Sequence, residues 1–143
     1  DNMQRLLRKF ETAKNLVPRP TRRNSDKPSK YGVIYYGSSS PPMDEAIGMI
    51  EAKGKPLDML RVRAFPFHQD VPDFIADHDF VFVVEQNRDG QLRMLLVNEG
   101  VIDPARLSPV LHYDGTPITA RFIRREISER LAAFNVVPLK KKV

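Results

Sequence analysis

The chain contains no cysteine. That excludes a disulfide framework, a thiol nucleophile and a thiolate-ligated zinc or iron–sulfur centre within these residues. It also has no tryptophan and only seven glycines. Neither G-x-G-x-x-G nor G-x-x-x-x-G-K-[ST] occurs, so the glycine-rich loops that cradle dinucleotides or nucleoside triphosphates are missing. No apolar run approaches the roughly 20 residues of a membrane span, and no signal-peptide pattern opens the chain. The lack of thiols fits a reducing compartment, so a cytoplasmic location is expected. An opening on Asp1 rather than Met is expected of a piece of a longer polypeptide. The three histidines, His68, His78 and His112, stand in separate segments, none at i, i+3 or i+4 from another ligand. A metal site or a Ser-His-Asp set therefore has no support. His68 and His78 are expected in solvated loops.

What is present is enough for one folded domain. A chain of 143 residues can bury roughly two thirds of its unfolded surface. The net charge of +5 is unevenly spread. Residues 1–30 hold nine Lys/Arg against three Asp/Glu, Lys140 to Lys142 add three more cations, and residues 31–139 carry eleven positive against fifteen negative groups. A nucleic-acid-binding fold carries its basic stripe on the folded body. Here the basicity sits at the two ends, so no nucleic-acid partner is expected.

Phe80 to Val97 is the organising stretch. Phe80 to Val84 are five consecutive aromatic or β-branched residues, which predicts a strand covered on both faces, as in the middle of a parallel sheet. Glu85 to Gly90 are polar or glycine, and the apolar residues at 92, 95 and 96 have helical spacing. Strand, short loop, helix is half of a βαβ unit. In such sheets the loop at the carboxyl end of the strand meets ligands or partners. Glu85 is the best single acid–base candidate; the competing reading is that it anchors its loop by accepting backbone N–H bonds.

The remaining segments extend this pattern. Met3 to Val17 has an apolar stripe at helical spacing and is read as a helix packing on this or a neighbouring domain, in preference to a basic membrane-surface helix, because its apolar side is short and lacks Trp; no membrane partner is expected. Pro18 to Lys30 is rich in proline and basic residues and reads as a linker. Tyr31 to Tyr36 is the first strand, followed by the turn Gly37, Ser38, Ser39, Ser40, Pro41, Pro42. Ser40 is expected to cap a helix that runs through Met43 and Ile50 to Gly54. The same turn could bind an anion, although it has one Gly, no Lys, and Asp44 and Glu45 close by. Leu57 to Ala64 is a second strand, with Arg61 and Arg63 on one side of it, available to a carboxylate or to ion pairs. Phe65-Pro66-Phe67 makes an apolar knuckle. Asp70 to Asp77 is a short helix, Asp103 caps a turn at Pro104, Pro109 to Tyr113 is a further strand with His112 near its end, and Ile118 to Phe134 is the last helix, capped by Thr116 or Thr119. Together these predict an α/β three-layer sandwich on a mostly parallel, doubly wound sheet of four to five strands. The expected division is a connector helix and basic linker over 1–30, the α/β domain over 31–135, and a basic tail over 136–143.

Four motifs in order resemble one family. VVEQNRDGQL, through Glu85, Asn87, Gly90, Gln91 and Leu92, resembles a signature of the transketolase C-terminal-like domain in the alpha subunit of 2-oxoacid:ferredoxin oxidoreductases. YYGSSSPPMDEA is similar through Gly37, Ser38, Glu45 and Ala46, and LRVRAFPF through Leu60, Arg61, Arg63, Pro66 and Phe67. HYDGTPITA resembles the 2-oxoglutarate type through Tyr113, Gly115 and Pro117, and RKFETA resembles the connector helix before the domain. The resemblance implies a transketolase C-terminal-like fold within a thiamine diphosphate-dependent complex. That complex converts a 2-oxoacid (2-oxoglutarate in this type) and CoA to acyl-CoA, CO2 and reduced ferredoxin. It implies as partners the other domains of the alpha subunit, a beta subunit and, through the complex, ferredoxin. Thiamine diphosphate, an iron–sulfur cluster and CoA are implied for the holoenzyme and none for this chain alone, which is expected to be inactive in isolation. No catalytic residue carries over. An assembly role does, with Gly37, Ser38, Ser39, Ser40, Glu85, Gln86, Asn87 and Arg88 as the expected contact surface. The alternatives are a free-standing flavodoxin-like module that binds a small anion or nucleotide at Ser38–Ser40, and an interaction domain of a transketolase relative.

Overall fold

Alternation explains the organising run. In the computed structural model, which describes residues 1–100 and 102–136, Phe80–Glu85 forms β4, an interior strand of a five-stranded sheet. Val81 and Val83 enter one core while Phe82 and Val84 enter another on the opposite face. Between its ends such a strand is apolar on both faces, and its one polar residue, Glu85, stands at the carboxyl end.

The other elements are α1 (Asn2–Ala13), β1 (Thr21–Arg23), β2 (Tyr31–Tyr36), α2 (Met43–Glu51), β3 (Asp58–Val62), α3 (Asp70–Asp77), α4 (Gln91–Gly100), β5 (Leu107–Leu111) and α5 (Ala120–Val136). The sheet order is β1-β3-β2-β4-β5. Four strands are parallel, and β1 pairs antiparallel with β3. Helices α2 and α5 cover one face with Met43, Ile47, Ile50, Ile123 and Ile127. Helices α3 and α4 cover the other with Val71, Phe74, Ile75, Leu92 and Leu96. Each fully buried side chain of this kind contributes about 1.5–3 kcal/mol. The three-layer, mostly parallel sandwich expected from the sequence is the fold observed. Gly32 on β2 is required by a close approach, since a Cβ there would lie 2.6 Å from Phe74.

Several local expectations change. The stretch read as a linker contributes β1, whose Thr21, Arg22 and Arg23 pair with Arg61, Leu60 and Met59. Nothing apolar marks this strand. It is held by the free edge of β3 and by arginines reaching carboxylates on two helices: Arg19 to Asp70 and Arg22 to Asp77 on α3, and Arg23 to Glu51 on α2. Helix α2 begins after Pro42 without a side-chain cap, and the Ser40 hydroxyl is buried without a partner, so Ser40 is not its cap. Strand β5 begins at Leu107 rather than Pro109. It is an edge strand, where a proline with its missing N–H turned outward does not interrupt the ladder. Asp103 does cap its turn, accepting from Ala105 N at 2.9 Å. Thr119 caps α5 through Phe122 N at 3.2 Å.

His78 is not a solvated loop residue. It is buried, with Nδ1 2.6 Å from the Phe74 carbonyl and Nε2 3.1 Å from Asp58 Oδ2. Asp58 Oδ1 accepts from Ser25 N at 2.8 Å, and Arg22 comes within 3.8 Å of Oδ2. His68 is half-buried and accepts from Asp70 N at 3.1 Å. No residue of α1 is buried, and Met3, Leu7 and Phe10 are more than half exposed. Among the described residues no helix is long and apolar enough to cross a membrane. The basic tail expected over 136–143 lies, from residue 137 on, outside the described residues.

The strap formed by residues 18–25 responds to acid. The Arg19 hydrogen bond holds the Asp70 carboxyl below its ordinary 3.8; desolvation opposes this, and the charge of Arg19 and the contact with His68 reinforce it. A carboxyl depressed in the folded state stabilises above its unfolded value, and that stabilisation is lost as pH falls through the folded value. The effect is small, because the pair is exposed. In Arg19→Ala the Asp70 titration followed by carboxyl NMR is expected to move up toward its ordinary value. An unchanged titration would show that Arg19 does not hold this carboxylate in solution.

Candidate functional site

Winding reverses between β2 and β4. The helix after β2 lies on one face and the helix after β4 on the other, so the loops that leave these neighbouring strands diverge. This is the switch point at which doubly wound sheets meet ligands. The sequence-predicted residues of both loops are brought together there. Gln86 spans the gap, donating from Nε2 to Ser38 Oγ at 2.8 Å and to Ser39 Oγ at 3.4 Å. Its Oε1 accepts from Ile118 N at 3.3 Å, tying in the loop before α5. In that third loop Asp114 accepts from the Thr116 hydroxyl and N–H, which hold its carboxyl below the usual range.

Glu85 is fully buried at the end of β4. Its Oε1 accepts from Arg93 N at 2.9 Å, and its Oε2 accepts from Leu92 N at 2.7 Å and from Asn87 Nδ2 at 2.8 Å. Fully buried and held by three N–H donors, the carboxylate is not presented to a substrate for proton transfer. The residue anchors its loop and caps α4, whose first N–H groups have no helical partner of their own. Asn87 completes the turn by accepting from Asp89 N and Gln91 N, and Gly90 takes φ +65° where α4 starts. Arg88 and Asp89 point outward, both exposed and paired at 2.7 Å.

Two predicted residues are separated from this group and from each other. Arg61 shares the α2/α5 face with its register partner Tyr35. Burial pushes the Tyr35 hydroxyl up and Asp44 adds to this, while Arg61 and Arg23 oppose it. Arg63 lies beyond the end of β3 and lines an apolar cleft on the α3/α4 side with Tyr36, Val62, Phe65, Phe67 and Leu95. The sequence reading passed over this cleft. Its signal was the Phe65-Pro66-Phe67 knuckle, which follows Arg63 directly. The ring of His112 stacks on Phe122 at 4.9 Å, while its backbone N–H donates to the Glu85 carbonyl at 3.0 Å. Among the described residues no group of His, Asp or Glu is arranged to hold a metal ion.

No family model matches the chain, and no curated protein matches it. Solved structures do. A 2-oxoglutarate:ferredoxin oxidoreductase from Magnetococcus marinus, with 2-oxoglutarate, coenzyme A and succinyl-CoA bound, aligns over 85% of this chain with TM-score 0.74 and 22% identity. This chain spans only 21% of that one. The alpha chain of a probable 2-oxoacid ferredoxin oxidoreductase from Thermoplasma acidophilum aligns over 80% of this chain and 97% of its own, with TM-score 0.53 and 22% identity. A split-gene transketolase, an inactive β4 tetramer, aligns over 80% of this chain and 41% of its own, with TM-score 0.59 and 17% identity. At these identities the likeness is one of fold, and it is the fold that the sequence resemblance implied.

Proposed function

We propose that this chain is the C-terminal, transketolase C-terminal-like domain of the alpha subunit of a 2-oxoacid:ferredoxin oxidoreductase, of the 2-oxoglutarate type. Its task is assembly and interdomain packing. The observation that carries this reading is the alignment of 85% of the chain on the Magnetococcus enzyme at TM-score 0.74, with the sequence motifs of that family on the loops at the carboxyl end of the sheet. Two polar side chains of those loops are engaged internally: Glu85 by three N–H donors and Gln86 by Ser38, Ser39 and Ile118. Such loops present a fixed shape. The bridge of Gln86 across the switch point also disfavours the small-anion module, because it occupies the crevice that a nucleotide would enter.

The cofactors of the holoenzyme do not fit this chain's own residues. With no cysteine it has no thiolate for an iron–sulfur cluster, and Glu85 is fully buried and committed to its own loop, not presented for acid–base work on thiamine diphosphate. The chemistry on thiamine diphosphate and CoA, and the transfer of electrons to ferredoxin, belong in this reading to other domains and to a beta subunit, in the cytoplasm, and the isolated chain is inactive.

The test is purification from the native source with a tag after Val143, followed by intact mass and assays for thiamine diphosphate and iron. A longer polypeptide that brings down both is expected. A free chain of 16.4 kDa carrying neither would overturn the reading. Within the complex, Arg88→Glu is expected to weaken subunit association measured by size-exclusion chromatography. Arg88 is exposed and pairs only with the exposed Asp89 among the described residues, so unchanged association would remove Arg88 from the contact surface.

A further inference from the structure

Beside the bridged switch point the molecule opens a cleft of about 400 Å³. Its wall is apolar: Tyr36, Val62, Phe65, Phe67, Leu92 and Leu95. Two of these aromatics stand at its lip with much of their surface in water, Tyr36 at 38% and Phe65 at 47% exposed. The Phe65 and Phe67 rings meet edge to face at 5.3 Å, which braces the lip. Exposed aromatics beside an arginine are the composition of a protein-docking centre, not of an ordinary solvated surface.

The charge at this cleft is unanswered. Arg63 is exposed and makes no hydrogen bond or ion pair among the described residues. Its neighbours in the strap differ, since Arg19, Arg22 and Arg23 each hold a carboxylate. The start of α4 also borders the cleft, but Leu92 N and Arg93 N are already bound to Glu85. The cleft therefore offers an anion one guanidinium, with these two amides of α4 already taken. A phosphate draws on several donors at once, whereas one planar guanidinium matches one carboxylate. An apolar wall next to a single such cation selects an apolar group close to a carboxylate.

We propose that this cleft seats a segment of a partner polypeptide, placing an apolar side chain against Tyr36, Phe65 and Leu95 and an Asp or Glu within two residues of it on Arg63. This rests on the assembly reading above and names the chemistry of the segment that docks.

The test replaces Phe65 with p-benzoylphenylalanine in the full chain, expressed in the native source. Irradiation is followed by purification and sequencing of the crosslinked peptide. The expected product is a peptide of a different polypeptide with an apolar residue within two positions of an Asp or Glu. Arg63→Glu is expected to lower the crosslink yield about tenfold, the loss that follows when a bound carboxylate forfeits a guanidinium. Changing the partner's carboxylate to Arg in that background is expected to restore the yield. Arg63→Gln serves as a second variant should the reversal disturb folding, with a loss of yield again expected. A crosslink to a second copy of this chain, to a small molecule or to a peptide without a carboxylate overturns the proposal. So does the absence of any crosslink, or a yield indifferent to Arg63. Thiamine diphosphate and iron copurifying without this crosslink would defeat the cleft alone. The crosslink found in a preparation that lacks both would defeat the oxidoreductase reading alone.

Discussion

Glu85→Ala is expected to lower the unfolding free energy by about 3–5 kcal/mol. The side chain is fully buried and accepts Leu92 N, Arg93 N and Asn87 Nδ2 at 2.7–2.9 Å. Hydrogen bonds to a charged group contribute roughly 1.5–3 kcal/mol each, and a buried donor left without a partner costs about 1–3 kcal/mol. The three are not additive, because a water entering the space left by the side chain can satisfy part of the set. Loss of the helix cap alone accounts for about 0.5–2 kcal/mol of the total. Glu85→Gln separates shape from charge. It keeps the volume but offers one oxygen, so its amide nitrogen must face an N–H that had an acceptor, and about half the loss is expected. Urea unfolding followed by far-UV circular dichroism measures both. A loss under about 1 kcal/mol for Glu85→Ala would mean that the start of α4 is held by other contacts.

Asp58→Ala comes next in size, at about 3–5 kcal/mol, since it strips the His78 ring nitrogen and Ser25 N of their acceptor at about 1–3 kcal/mol each and removes the partner of Arg22. Asp58 is buried at the start of β3 and joins three elements: Ser25 N from the strap, the His78 ring from the end of α3, and Arg22 from β1. Removal leaves His78 Nε2 without its partner inside the protein and frees the strap from its only buried anchor among the described residues. Two readouts are expected to change together: the urea midpoint falls, and limited proteolysis within residues 18–30 accelerates. His78→Leu in the Asp58→Ala background is expected to cost less than the two single changes combined, since each alone strands the other's polar group. Additive costs would show that the two residues do not act as a pair. Unaltered proteolysis of Asp58→Ala would show that the strap is held by its backbone pairing with β3 and not by this network.

The chain's own pattern determined the central layers. Five consecutive aromatic or β-branched residues from Phe80 to Val84 read as a strand covered on both sides, and helical spacing after Gly90 put α4 where it is found. Gly37 to Ser40 and Glu85 to Arg88 were legible as loops of the carboxyl end, because a polar break between a buried strand and an amphipathic helix has one place to lie in a doubly wound sheet. The role of Glu85 was legible only as two alternatives. Geometry chose between them by bringing two amides of α4, seven and eight residues on, against its oxygens.

Only the tertiary structure decided the rest. Thr21 to Arg23 carry no strand pattern; they form β1 because β3 leaves an unpaired edge and because carboxylates on α2, α3 and β3 meet the arginines. His78 reads as a loop residue in sequence and becomes buried because Asp58, twenty residues away, is folded against it. Arg61 and Arg63, two apart, part company because the strand ends at Val62, so that one remains on the α2/α5 face and the other turns to the apolar cleft. Periodicity reports which face of an element is dry. It does not report which distant charge, edge or ring will meet that element, and at those meetings this protein places its buried polar network and its open cleft.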